Sequence, residues 1–262
     1  MKPLAGPPFE KKPAVLFILP AYNEESKIRE LIESIGAVMD GTGSAYTVIL
    51  VNDGSSDRTL DEAAALLGKL PLKIISHPVN MGVHEAFRSG FTAANAMAGP
   101  DDIIMTMDAD GTHDVKLTPA MMEKIRQGCD IVIASRFRPG SKIVGVPAYR
   151  NFLSYAARFV VSLLFGVKGA RDFTIFHRAY RASVIRAMMD HYGDRFIVST
   201  GFTSNTEILL KAWSFYKGRL KICELSCELH YELKAGPSKM RVFQNAMEYF
   251  SMIWRLKVSG KG

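Results

Sequence analysis

No stretch of this chain approaches the roughly 20 consecutive apolar residues that a membrane-spanning helix requires. The opening residues, Met1 to Lys12, hold Pro and Gly but no apolar core, so a secretory leader is not expected either. Cysteine is scarce. Cys129, Cys223 and Cys227 are odd in number and lack a C-x-x-C spacing, and they read as buried thiols in a reducing compartment. Dense Lys/Arg tracts and aromatic RNA-binding signatures are missing, which argues against nucleic acid. There is no internal repeat and no low-complexity segment. These absences leave a cytoplasmic protein, soluble or peripheral to a membrane.

What the chain has is apolar bulk and a modest excess of positive charge. A content of 48% hydrophobic residues in 262 supports one large α/β domain with a C-terminal extension. The formal net charge of +7 suits phosphorylated ligands or an anionic membrane surface.

Short apolar runs alternate with helical patterns. Ala14 to Leu19 reads as a buried strand that Pro20 ends, and Ile28, Leu31, Ile32 and Ile35 mark a helix. Thr47 to Val51 is a second strand, stopping at Asn52-Asp53-Gly54, with a helix from Leu60 to Leu67 that Ser56 or Asp57 would cap. Leu72 to Ile75, Ile103 to Met107 and Ile131 to Ala134 are further strands, and a helix reaches about Met97. That rhythm means a mostly parallel sheet with right-handed crossovers. The second half reads as helices over Asn151 to Val167, Tyr180 to Met189 and Thr206 to Tyr216, then a strand over Leu220 to Leu225. Asn151 to Val167 suits a core helix or one lying against lipid. The final stretch, Met240 to Val258, mixes Phe243, Met247, Phe250, Ile253 and Trp254 with Arg241, Arg255 and Lys257, as a packed or a membrane-surface amphipathic helix does.

The chain is organised around Ile103 to Gly111, an apolar run that stops on Asp108 and Asp110, one residue apart, where Gly111 lets the backbone turn. In an open α/β sheet, ligands collect beyond the carboxyl ends of the strands. A carboxylate pair there suits Mg²⁺ or Mn²⁺ completed by substrate phosphates. Solvated turn residues would give the same pattern.

Together, Leu19-Pro20-Ala21-Tyr22-Asn23-Glu24-Glu25, Val51 to Asp57, Asn80-Met81-Gly82 and Met107 to Asp110 resemble the family 2 inverting glycosyltransferases. Ala134-Ser135-Arg136-Phe137, Asp172 to Arg181 and Pro237-Ser238-Lys239 resemble the branch typified by dolichol-phosphate mannose synthase and bacterial polyprenyl-phosphate glycosyltransferases. The resemblance covers roughly residues 13 to 255. It implies an α/β fold of the A type and a catalytic domain over 13–235, after a lead over 1–12 and before a membrane-proximal helix over 236–262. It implies that Pro20, Tyr22 and Glu24 line the nucleotide pocket, that Asp53 bonds the base or ribose, and that Asp108 and Asp110 hold the cation and contact the ribose. Arg136, Arg150, Arg178 and Lys239 would face the acceptor phosphate or the donor diphosphate. The donor would be a nucleotide-diphosphate sugar, the acceptor a polyprenyl phosphate, and the site of action the cytoplasmic membrane face. A hydroxyl acceptor would instead need Glu207 as general base. A sugar-binding protein without turnover is a third reading.

The chain departs from its relatives in three places. Glu232 is followed by Leu233 and Lys234 where an acidic-Arg pair is common, Val83-His84-Glu85 follows the Asn-x-Gly, and Thr112 stands where Gln occurs. His113 and His177 show no ligand spacing and read as structural.

Overall fold

The computed structural model describes residues 12–145, 148–230 and 242–258. The Pro237-Ser238-Lys239 motif, Glu232 and the boundary expected between 235 and 236 lie outside the described residues. Arg150 belongs to a described helix, but its side chain is not among the described groups.

In chain order the elements are β1 (Val15–Ala21), α1 (Ile28–Asp40), β2 (Tyr46–Asn52), α2 (Thr59–Ala64), β3 (Leu72–Ser76), α3 (Val83–Met97), β4 (Ile103–Thr106), α4 (Thr118–Arg126) and β5 (Ile131–Ser135). Then come β6 (Lys142–Val144), α5 (Ala148–Phe165), β7 (Arg178–Arg181), α6 (Ala182–Tyr192), α7 (Ser204–Phe215), β8 (Ile222–Ser226), β9 (Glu228–His230) and α8 (Val242–Val258). Seven strands form one sheet in the order β3-β2-β1-β4-β7-β5-β8, and β6 pairs with β9 in a separate ribbon. All pairings in the large sheet are parallel except those of β7, which runs antiparallel to β4 and β5.

Helices cover both faces, so the central strands are apolar throughout and do not alternate. Phe17, Ile18 and Leu19 of β1 and Ile103, Ile104 and Met105 of β4 are buried, as the apolar runs predict. Each such side chain contributes about 1.5–3 kcal/mol on leaving water. α3 lies directly on β1, where a Cβ at Gly90 would overlap Ile18 Cγ2.

The structure corrects three expectations. Tyr180 and Arg181 belong to β7, and α6 begins only at Ala182; a four-residue buried strand leading into a helix has no periodicity of its own. α2 stops at Ala64, short of Leu67, which instead bridges to Leu70 around Gly68. The cysteines are not three separate thiols. Cys129 and Cys223 are joined in a disulfide with Cα atoms 6.1 Å apart, and Cys227 is a buried free thiol. The parallel pairing of β5 with β8, which sets Val132 opposite Cys223, brings together residues 94 apart in sequence.

Candidate active site

The carboxyl ends of β1, β2, β4 and β5 share one rim. Because β7 runs the other way, with Arg178 opposite Thr106, the segment Asp172 to His177 arrives at that same rim. Residues from both halves of the chain therefore meet there.

The first group gathers on β1 and β2. Asp53 N donates to Ala21 O at 2.8 Å, tying the two strand ends together. The turn after β1 is stitched to the turn after β2: Asn23 N donates to Ser55 Oγ at 3.0 Å, Glu24 N to Thr59 Oγ1 at 2.8 Å, and Ser56 N to Asn23 Oδ1 at 2.8 Å. Asn23 sits at φ 53°, a conformation Asn tolerates better than most residues. Half-buried Pro20, Tyr22 and Glu24 are thus held beside Asp53. The Asp53 carboxylate is buried and accepts from Met81 N at 2.9 Å and Gly82 N at 2.8 Å, so the Asn80-Met81-Gly82 motif wraps around it.

The second group follows β4. Gly111, at φ 73°, turns the chain so that Asp110 Oδ1 accepts from Thr112 N at 3.1 Å and Thr112 Oγ1 at 2.7 Å. Thr112, one of the three departures noted above, thereby orients Asp110. Asp108 keeps part of its side chain in solvent and contacts His113 Nε2 through Oδ2 at 3.0 Å. His113 was expected to be merely structural, but it sits on a candidate metal ligand; its place five residues after Asp108 was the available signal. Its ring lies 5.3 Å from that of His177, whose pKa burial, reinforced by His113, pushes well below the ordinary range. Among the described residues no three His, Cys, Asp or Glu side chains form a metal cage. Two carboxylates of hard-donor type nevertheless fit a cation of the Mg²⁺ class, which ordinarily takes one or two of them and completes its shell with phosphate oxygens and water.

The third group joins β5 to the segment before β7. Arg136 grips Asp172 with Nε to Oδ2 and Nη2 to Oδ1, both at 2.8 Å, and also donates to Thr174 Oγ1. Burial alone would raise the Asp172 pKa, but the Arg136 guanidinium and the N–H groups of Arg136 and Thr174 prevail and lower it to about 2. Arg136 reaches the rim as half of an ion pair.

Two expected site residues are placed elsewhere. Arg178 is fully buried and donates to Asn205 O and Phe173 O, both at 2.7 Å, so its guanidinium holds main chain together and does not face a phosphate. Glu207, the candidate base, is fully buried as well. Its carboxylate accepts from Val198 N at 2.9 Å, Ser199 N at 2.6 Å and Lys211 Nζ at 2.8 Å, with Arg255 Nη2 at 3.4 Å. Burial would raise its pKa, yet Lys211 and those N–H groups lower it. A carboxylate so enclosed by the described residues is a weak base.

Residues 16–192 match the family described as glycosyl transferase family 2. A dolichol-phosphate mannosyltransferase of Pyrococcus furiosus is 35% identical over 56% of this chain and 40% of its own length. An undecaprenyl-phosphate mannosyltransferase of Micrococcus luteus is 33% identical over 66% of this chain and 69% of its own. An undecaprenyl-phosphate 4-deoxy-4-formamido-L-arabinose transferase of Edwardsiella ictaluri is 33% identical over 86% of this chain and 64% of its own. Among solved structures, glucosyl-3-phosphoglycerate synthase of Mycobacterium tuberculosis, in complex with Mn²⁺, UDP and glucosyl-3-phosphoglycerate, aligns with a TM-score of 0.64 at 19% identity, covering 94% of this chain and 78% of that one. The same enzyme with Mg²⁺ and UDP aligns with a TM-score of 0.63. At that identity the likeness establishes the fold: a mostly parallel sheet flanked by helices, of the A type.

Proposed function

The chain belongs to glycosyl transferase family 2, and from that premise we propose that it transfers a sugar, with inversion, from a nucleotide-diphosphate sugar to a polyprenyl phosphate. Asp108 and Asp110 would hold the required Mg²⁺ or Mn²⁺, and Pro20, Tyr22, Glu24 and Asp53 would form the nucleotide pocket. The cation, when bound, offsets the charge that builds on the departing nucleoside diphosphate. Asp110, oriented by Thr112, and Asp108, oriented by His113, set where that charge is met.

The observation that carries the acceptor class is the state of Glu207. A hydroxyl must lose a proton to attack, and the candidate base is locked into Lys211 and the Val198–Ser199 main chain. A phosphate monoester, with its second pKa near ~6, is mostly dianionic at neutral pH and needs no base. It needs cations: Arg150 and Lys239 would supply them, and Arg136 would add to them only as the guanidinium of its pair with Asp172. The relatives named as dolichol- and undecaprenyl-phosphate transferases support the same acceptor.

A lipid acceptor calls for a lipid-facing surface. α5 exposes Tyr155, Phe159 and Leu163, spaced by one helical turn, and α8 exposes Met247, Phe250 and Trp254. Arg158 lies over the Phe137 ring at 5.4 Å and Lys257 over the Phe165 ring at 5.1 Å, so cations accompany both apolar faces. Among the described residues no helix is long and apolar enough to cross a membrane. These faces support peripheral docking on the cytoplasmic membrane surface.

The test is to incubate the protein with a polyprenyl phosphate, Mg²⁺ or Mn²⁺ and a panel of nucleotide sugars, following sugar into the organic phase. Sugar-phosphate-lipid should form with the intact protein and fall at least about a thousandfold in Asp110→Asn, while the unfolding temperature is retained. Nucleoside diphosphate release only when hydroxyl acceptors are offered would replace the acceptor assignment, and an active Asp110→Asn would remove the metal assignment.

A further inference from the structure

We propose that His77 is a positioning residue for the donor site, an imidazole anchored on Ser89 that sets the orientation of the Asp53 carboxylate toward the nucleoside diphosphate. The proposal rests on the assignment of Asp53 to the nucleotide pocket and adds two residues to it that no motif of the sequence singled out.

His77 follows β3 directly, and its N–H donates to Asn52 O at 2.9 Å, which fixes its backbone against β2. Its ring is almost fully buried and bonded at both nitrogens, Nδ1 to Asp53 Oδ1 at 2.7 Å and Nε2 to Ser89 Oγ at 2.9 Å. A carboxylate can only accept, so Nδ1 carries a proton; in the neutral ring Nε2 then accepts from the Ser89 hydroxyl. Ser89 sits on α3 next to Gly90, which rests against Ile18 of β1 with no room for a methyl group. The anchor is therefore carried on an element packed directly against β1.

The consequence falls on Asp53. Its Oδ1 takes two donors, His77 Nδ1 and Met81 N, whereas Oδ2 takes Gly82 N. A carboxylate oxygen has two acceptor directions. His77 and Met81 N together fill Oδ1, so a donor group of the nucleoside would have to be met at Oδ2, beside Gly82 N. Gly54, at φ 67°, lies so close to Val79 and Asn80 that a Cβ would overlap them, so the loop bearing Asp53 is packed directly on the segment that supplies Met81 N and Gly82 N. Side-chain orientation, supplied by His77, is what remains to be set.

The experiment measures binding of UDP and of GDP, each with Mn²⁺ and without acceptor, by calorimetry, together with the unfolding temperature of each protein. His77→Ala should weaken binding of the nucleotide that the wild type prefers roughly tenfold, about the worth of one such hydrogen bond. His77→Asn, whose Nδ2 can replace Nδ1, should recover to within roughly threefold. Ser89→Ala should fall between, at roughly threefold. A merely structural role would lower the unfolding temperature without this graded recovery. Wild-type affinity in His77→Ala, or an Asn variant as weak as the Ala one, overturns the proposal; should His77→Ala fail to fold, unchanged affinity in Ser89→Ala does so. Wild-type protein that binds neither nucleotide overturns the donor assignment itself, and this proposal with it.

Discussion

Glu207 and Asp172 are both acids that the chain buries completely, and each is tied to a cation, with opposite consequences for how their roles can be tested. In Glu207→Gln the amide oxygen can still accept from Val198 and Ser199, but Lys211 is left as a buried ammonium facing a neutral group. Breaking a buried pair from one side costs about 3 kcal/mol or more, so chemical denaturation should show a large loss of stability. The protein that remains folded should keep its turnover within a few fold. A stable, folded Glu207→Gln whose kcat has dropped about a thousandfold would restore the residue as general base. For Asp172 the informative variable is pH. Its folded pKa lies at about 2, below the ordinary 3.8, so the Arg136 pair stabilises the fold fully above pH 4 and is lost as pH falls toward 2. That contribution amounts to about 2 kcal/mol. Stability measured from pH 5 to 2 should therefore fall more steeply in the wild type than in Asp172→Asn by that amount, and parallel curves would refute the assignment. The sequence had singled out the Asp172 motif by resemblance but could not show that Arg136 was its partner, since the two are 36 residues apart.

At the scale of elements, the site depends on how β1, α3 and β7 are seated. α3 carries Ser89 and approaches β1 through Gly90, so Gly90→Ala must push the helix outward or force Ile18 from its rotamer. Overpacking of this kind costs about 1–3 kcal/mol; the unfolding midpoint should drop accordingly, and a variant as stable as the wild type would show that α3 can shift. The apolar runs of β1, β2, β4 and β5 were legible because a strand covered on both faces has no polar positions. β7 was not, because its four residues, Arg-Ala-Tyr-Arg, include two arginines made acceptable by interior partners, the Asn205 and Phe173 carbonyls for Arg178 and Ile125 O with the Asp130 carboxylate for Arg181.

For the molecule as a whole, a net charge of +7 and the apolar residues exposed on α5 and α8 are the features on which the proposed docking to an anionic bilayer rests. Vesicles containing anionic lipid should sediment the protein, less so at high salt, and Phe250→Ser with Trp254→Ser should reduce the bound fraction at least about tenfold. Equal binding by the double variant would move the docking surface away from α8. The disulfide between Cys129 and Cys223 acts at the same scale, linking the segment before β5 to the edge strand β8 on the flank of the sheet.

The amino-acid order alone determined the strand-helix rhythm, the rim on which Asp53, Asp108 and Asp110 fall, and the family that those motifs indicate, because each is carried by neighbours in sequence: an apolar run, a turn glycine, a carboxylate one or two residues beyond. Only the tertiary structure decided which charged groups face the rim and which are consumed inside. Arg178 and Glu207 turned inward, Arg136 was paired with Asp172, and His77 and His113 were set on Asp53 and Asp108. The physical reason is that a side chain's partner is set by sheet order and helix packing; the antiparallel entry of β7 and the contact of α3 with β1 bring together groups whose separation along the chain carries no trace of their contact.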